Sequence, residues 1–115
     1  MSIGENTFAS AMGAASWSVK GASWLMSAMF RNRNSSARYV LVYDAATVPS
    51  DGAGSTPILS ILLPAGPSMV TMGTDFFSPG GLPFLHGLVL VVSTAESGTQ
   101  TTATAADHDI AVFYR

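Results

Sequence analysis

There is no cysteine among the 115 residues, so the chain has no disulfide, no thiolate nucleophile and no Cys-based zinc site. Charge is scarce too: Asp, Glu, Lys and Arg make up 10% of the residues, against roughly a quarter in an ordinary soluble domain. Five basic and seven acidic residues leave a formal charge of -2, the wrong sign for a phosphate-binding surface, so nucleic acid is not an expected ligand. Long apolar runs are missing as well. The longest aliphatic run, Leu88 to Val92, is far short of the roughly 20 residues that cross a bilayer, and no membrane partner is expected. The first residues carry Glu5 where a secretory signal would carry Lys or Arg, which reads as a mature, soluble end.

Apolar residues are plentiful, at 48%, which excludes disorder, and a chain of this length fits one domain. Most of it alternates with the period of two expected of half-buried strands. Ala14 to Lys20 puts Trp17 and Val19 on one face and Ser16 and Ser18 on the other. From Ala22 to Phe30, Trp24, Met26, Ala28 and Phe30 share a face opposite Ser23, Leu25, Ser27 and Met29. Arg31 to Ser36 is a polar turn before Arg38 to Tyr43, which reads as a hairpin. Pro64 to Pro67 separates Ile58 to Leu63 from Ser68 to Met72 as a second strand-turn-strand unit. Gly87 to Ser93 suits a central strand buried on both faces, and Ile110 to Tyr114 alternates again.

The expected fold is all-β: a single β-sandwich of seven to eight strands with Greek-key or jelly-roll connections and little helix. Residues 14–115 are expected to form it, with residues 1–13 as an N-terminal arm or docking segment. The expected core is Trp17, Val19, Trp24, Leu41, Ile61, Leu88, Leu90, Val112 and Phe113.

Chemistry-bearing patterns are few. Asp107-His108-Asp109 is the tightest cluster of metal-capable side chains, but in a strand the acids face one way and the imidazole the other, so a solvated edge is expected and no metal. His86 has no acidic or second histidine neighbour in sequence. No Gly-x-Ser-x-Gly elbow occurs, and the acids lie in or beside turns with none expected to be buried, so neither a serine hydrolase nor a glycosidase is expected. The glycine-rich stretches at 52–54 and 80–81 lack the lysine and the strand-to-helix context of a phosphate cradle. No catalytic residue and no cofactor are expected. Arg31, Arg33 and Arg38 form one basic cluster around a turn, suited to a small acidic contact or to plain solvation.

Three stretches, Arg38 to Pro49, Gly54 to Gly66 and Phe84 to Leu88, resemble small all-β virion proteins of tailed bacteriophages. The likeness runs over about two thirds of the chain, from Asn32 to Arg115, and consists of strand and turn positions. It implies a non-enzymatic virion structural protein, a capsid decoration or cement subunit, whose partner is the major capsid protein or another virion protein. A tail- or fibre-associated subunit is the nearest alternative. A carbohydrate-binding sandwich using exposed Trp or Tyr is the alternative of another class. Scarce charge independently points to surface buried in an assembly, including a homo-oligomer. The contact residues expected on this basis are Phe8, Met12, Val48, Pro49, Phe76, Phe77, Leu82 and His86.

Overall fold

A computed structural model of the chain describes residues 7–52, 56–73, 81–95 and 102–115. Among the described residues the strands run in the order β1 (Thr7–Met12), β2 (Ser16–Lys20), β3 (Ser23–Asn32), β4 (Arg38–Asp44), β5 (Leu59–Leu63), β6 (Ser68–Met72), β7 (Leu82–Phe84), β8 (Gly87–Ser93) and β9 (His108–Tyr114). The one helical piece among the described residues is a 3-10 turn over Ala105–Asp107. The chain is nearly all β, as its alternation requires.

The strands make two antiparallel sheets. One has the order β1-β9-β3-β6, with β7 also pairing β3, and the other the order β2-β8-β4-β5. The first half of β3 pairs with β7 and its second half with β6, so the long third strand serves two short neighbours.

A single apolar cluster joins the sheets. Leu25, Phe30, Met72, Phe84, Ile110 and Val112 come from the first, and Val40, Val42, Leu63, Leu88, Leu90 and Val92 from the second. Strand β8 is buried along its whole length, as expected of a run apolar on both faces. The reason lies in a second, smaller cluster of Leu41, Tyr43, Val89 and Val91 on the opposite face of the second sheet, with Tyr39, Ala45 and Val48 packed on it. The chain after β4 therefore folds back and packs Ala45 and Val48 on this outer cluster.

Several expectations need correction. Trp24 is 43% exposed and Phe113 42%, and neither belongs to the core. The cause in β3 is a bulge: the register against β9 shifts between Leu25 and Ser27. Ser23 and Leu25 are buried before the shift, and Ala28, Phe30 and Asn32 after it, so an extra residue at Met26 carries the inward face from odd to even positions. Phe113 points away from the core because its neighbours Ile110 and Val112 already fill the inner face of β9. Trp17, Val19 and Ile61 lie half-buried against the core, while Leu41, Leu88, Leu90 and Val112 are fully within the buried set.

Arg31 to Ser36 is not a hairpin turn either. It carries the chain from β3 in the first sheet to β4 in the second, and Pro64 to Pro67 likewise connects β5 to β6 across sheets. Finally, residues 7–12 of the expected N-terminal arm are strand β1, paired with β9 from Thr7↔Tyr114 to Met12↔Asp109. The boundary at residue 13 thus falls just after an edge strand of the first sheet.

Candidate functional site: the outer face of the first sheet

Alternation along β1, β9, β3 and β6 decides which side chains look away from the core. The registers line them up in rows. Phe8, Phe113 and Ser27 form one row, Ser10, Ala111, Met29 and Thr71 the next, and Met12, Asp109, Arg31 and Met69 a third. Phe8 and Phe113 stack at 4.9 Å between ring centroids, tilted by 47°. Met12, Met29 and Met69 line a shallow cavity of about 150 Å³ over the Arg31–Asp109 pair. Phe8, Met12, Met29, Met69, Phe113 and, beyond the bulge, Trp24 are all exposed large apolar side chains. Methionine is suited to such a face because its unbranched thioether adapts to an irregular partner surface.

Charge on this face is neutralised locally. Asp109 is buried, contrary to the expectation that no acid would be. Its Oδ1 accepts the backbone N–H of Gly13 at 2.7 Å, and its Oδ2 accepts from Arg33 Nη1, with Arg31 Nη1 at 3.9 Å. Burial pushes the Asp109 carboxyl up, but the Gly13 N–H and the two guanidinium groups outweigh it and hold the group below the usual carboxylate range. Arg33 also donates through Nη2 to the Ala106 carbonyl at 2.6 Å. Of the expected basic cluster, Arg33 is therefore spent on partners inside the chain, with Arg31 farther from the same carboxylate.

The same corner explains the polar turn. Asn32 is fully buried; its Nδ2 donates to the carbonyls of Ser36 and Pro64, and its Oδ1 accepts the N–H of Asn34. Asn34 in turn donates to Asp107 Oδ2 at 2.8 Å. His108 points inward, completely buried, with Nδ1 against the Thr104 carbonyl at 2.8 Å; because a carbonyl only accepts, Nδ1 carries the proton. Asp107, His108 and Asp109 thus turn to different partners. The buried His108 and Asp109 replace the solvated edge expected there, and among the described residues no group of three metal-capable side chains converges.

The remaining contact candidates fall elsewhere. Val48 packs on the second sheet's own outer cluster, and Pro49 beside it is half-buried. Leu82 is half-buried against the main core. His86 is exposed and its backbone N–H donates to Asp44. Phe76 and Phe77 lie outside the described residues. Of the six that are described, Phe8 and Met12 alone stand on the outer face of the first sheet; the sequence pointed to them as apolar residues near the start of the chain. Met29, Met69 and Phe113 were missed because their outward aim depends on the parity of β3, β6 and β9.

Asp44 was also missed, as a structural clamp. At the end of β4 its carboxylate accepts the N–H groups of Leu85 at 3.0 Å and His86 at 2.8 Å, and more distantly that of Gly87. The bonds from Leu85 and His86 hold its carboxyl below the ordinary carboxylate range. A depressed carboxylate contributes stability that is present above its unfolded value, near 3.9, and is lost as pH falls through the folded value. Asp44→Asn is expected to cost about 0.5–1 kcal/mol at pH 7, discounted for solvent screening. The gap from wild type should close on acidification. Urea midpoints of both proteins at pH 7 and pH 3 check this; an unchanged gap at pH 3 would remove the charge from the clamp.

Two aromatic pairs occur among the described residues, and both are tilted. Trp17 packs on Tyr114 with ring centroids 5.2 Å apart and a tilt of 58°, and Phe8–Phe113 is tilted as well, so neither pair offers coplanar stacking faces. No family model, no curated protein and no solved structure matches this chain.

Proposed function

We propose that this chain is a non-enzymatic structural subunit of a virus particle, a capsid decoration protein that docks on the capsid lattice through the outer face of its first sheet. The reading takes the two sheets as a jelly-roll sandwich. The orders β1-β9-β3-β6 and β2-β8-β4-β5, with the chain passing from one sheet to the other at most connections, support that topology.

One observation carries the functional reading: the two outer faces are treated differently. On the second sheet Ala45 and Val48 pack over Leu41, Tyr43, Val89 and Val91 and leave Leu62 of β5 exposed, whereas the first sheet's outer face bears Phe8, Met12, Met29, Met69 and Phe113 without a cover among the described residues. Isolated exposed apolar residues are ordinary, but aligned rows of them over four strands mark a contact surface. The central charges of this face are already paired with each other, so docking strands no lone ion in a dry interface. The resemblance of Arg38 to Pro49, Gly54 to Gly66 and Phe84 to Leu88 to virion proteins of tailed bacteriophages supplies the kind of partner. A mass-spectrometric inventory of purified capsids and tails from a phage encoding this chain tests the assignment. The protein is expected in capsids at a copy number near that of the lattice sites; its presence in tails alone would move it to the tail, and absence from both would overturn the reading.

A further inference from the structure

We propose that two copies of this chain join edge to edge, β1 against β1 in antiparallel register about a two-fold axis at Ser10, merging their first sheets into one continuous sheet. The inference starts from the sheet edges. Strand β2 ends in Lys20, β5 lies between Pro57 and Pro64, β6 follows Pro67, and β7 contains Pro83. Lysine and proline are the ordinary means by which an edge is protected from pairing. Strand β1, Thr-Phe-Ala-Ser-Ala-Met, has no charge, no proline and an unbroken register with β9, and among the described residues it ends its sheet.

The direction of its backbone groups follows from β9. Arg115 exchanges two hydrogen bonds with Trp24, at 2.8 and 3.1 Å, and the Asp107 carbonyl accepts from Arg33, so odd-numbered positions of this stretch bond toward β3. The His108 carbonyl accepts from Ala14 on the opposite side, so even-numbered positions bond toward β1. Thr7, Ala9 and Ala11, opposite Tyr114, Val112 and Ile110, therefore spend their backbone groups on β9. The N–H and C=O of Phe8, Ser10 and Met12 point to the open edge.

Those three positions are self-complementary. With the axis at Ser10, Phe8 faces the partner's Met12, Ser10 faces the partner's Ser10, and Met12 faces the partner's Phe8, giving about six backbone hydrogen bonds in three closely bonded pairs. The side chains agree with that register. Phe8 and Met12 lie on the outer face, where a thioether against a ring is favourable, and Ala9 and Ala11 meet each other's counterparts on the inner side without crowding. Asp109 fixes the end of the strand by holding the Gly13 N–H, where the chain turns at φ 62°. Pairing would also join the two apolar outer faces side by side, but it stands on the edge alone and does not rest on the virion reading.

Sedimentation velocity of the full chain over a concentration series tests the proposal. Wild type is expected to be dimeric at roughly 100 μM, and Ser10→Lys, which sets two like charges about 5 Å apart across the axis, to raise the dissociation constant at least about tenfold. Ser10→Pro removes an N–H that β9 does not use and is expected to be monomeric with an unchanged thermal transition, while Ser10→Thr remains dimeric. Should the proline variant fail to fold, the Lys variant and Ser10→Cys decide: the latter introduces a thiol into a chain that has no other and should be captured as a covalent dimer by a short bismaleimide. A wild-type chain that is monomeric throughout overturns the proposal. So does a dimer that is indifferent to Ser10→Lys and gives no cross-link through the introduced thiol, which would place the contact on another surface.

Discussion

Leu90→Asp is expected to abolish the folded state. Leu90 sits in the middle of β8, opposite Trp17 of β2 on one side and Val42 of β4 on the other, and is completely buried. Its surroundings are the hydrocarbon side chains of both sheets, with no cationic partner in the cluster. An unpaired carboxylate there must either stay charged in a poorly polarisable interior or take up a proton and still lack hydrogen bonds. The loss is at least about 5 kcal/mol, comparable to the whole stability of a domain of this size. Leu90→Ala, which leaves a cavity without a charge, should cost about 2–5 kcal/mol and remain folded at low temperature. Leu62→Asp is the surface control, since Leu62 is 53% exposed on β5. Circular dichroism should show a sheet spectrum with a cooperative melt for the two controls and none for Leu90→Asp; a cooperative melt of that variant would show that the two sheets do not share one core.

Gly87→Ala is expected to be strongly destabilising, although it adds a single methyl group. Gly87 opens β8 where three segments meet: its carbonyl accepts from Ala45, the carbonyl of neighbouring His86 accepts from Gly21, and Lys20 is its partner on β2. A β-carbon at this position would stand 2.8 Å from the Val19 carbonyl oxygen and closer still to that of Ala45. Both obstacles are backbone, so neither can rotate away as a side chain would. Relief requires parting β8 from β2 or from the chain after β4, at an expected cost of about 2–3 kcal/mol. That corresponds to a drop of roughly 10 °C in the melting temperature. Gly73→Ala is the control, because a β-carbon there meets nothing within 4 Å. Equal melting temperatures for the two variants would contradict the close approach at Gly87.

The parts of this fold that were legible in the sequence are those where one local pattern suffices. The run Gly87 to Ser93 is apolar on both faces, so a central strand is the reading it allows, and the structure buries it throughout. The segment Arg38 to Tyr43 was equally plain as a strand. The bulge at Met26 was not, because one inserted residue leaves no trace in composition. It exchanges the faces of Trp24 and Leu25 relative to Phe30, and a reading by strict alternation places the tryptophan inside. The polar corner Arg31 to Ser36 has the residues of a turn, and a turn it is. Whether the chain returns within its sheet or crosses to the other depends on where Asn32, Asn34 and Arg33 find Pro64, Asp107 and Asp109, which are remote in sequence.

The candidate site shared this limit. Phe8 and Met12 could be singled out from their place in the chain, but the face they belong to is assembled from four strands. Its other members became visible once the registers of β3, β6 and β9 were fixed. Asp44 and Asp109 show the same thing for polar groups: as sequence they are acids near turns, and as structure they organise three N–H groups and a guanidinium corner.

Docking of the first sheet's outer face on a protein lattice, as proposed above, is checked by returning the protein to purified particles stripped of it and comparing wild type with Met29→Glu. Met29 lies in the middle of the face, between Ala111 and Thr71, and its side chain takes no part in the core, so the variant is expected to fold with a melting temperature close to wild type. Wild type is expected to bind saturably and the variant to lose at least about tenfold in affinity, the cost of burying one unpaired carboxylate at the centre of an interface. Equal, saturable binding of both proteins would contradict it.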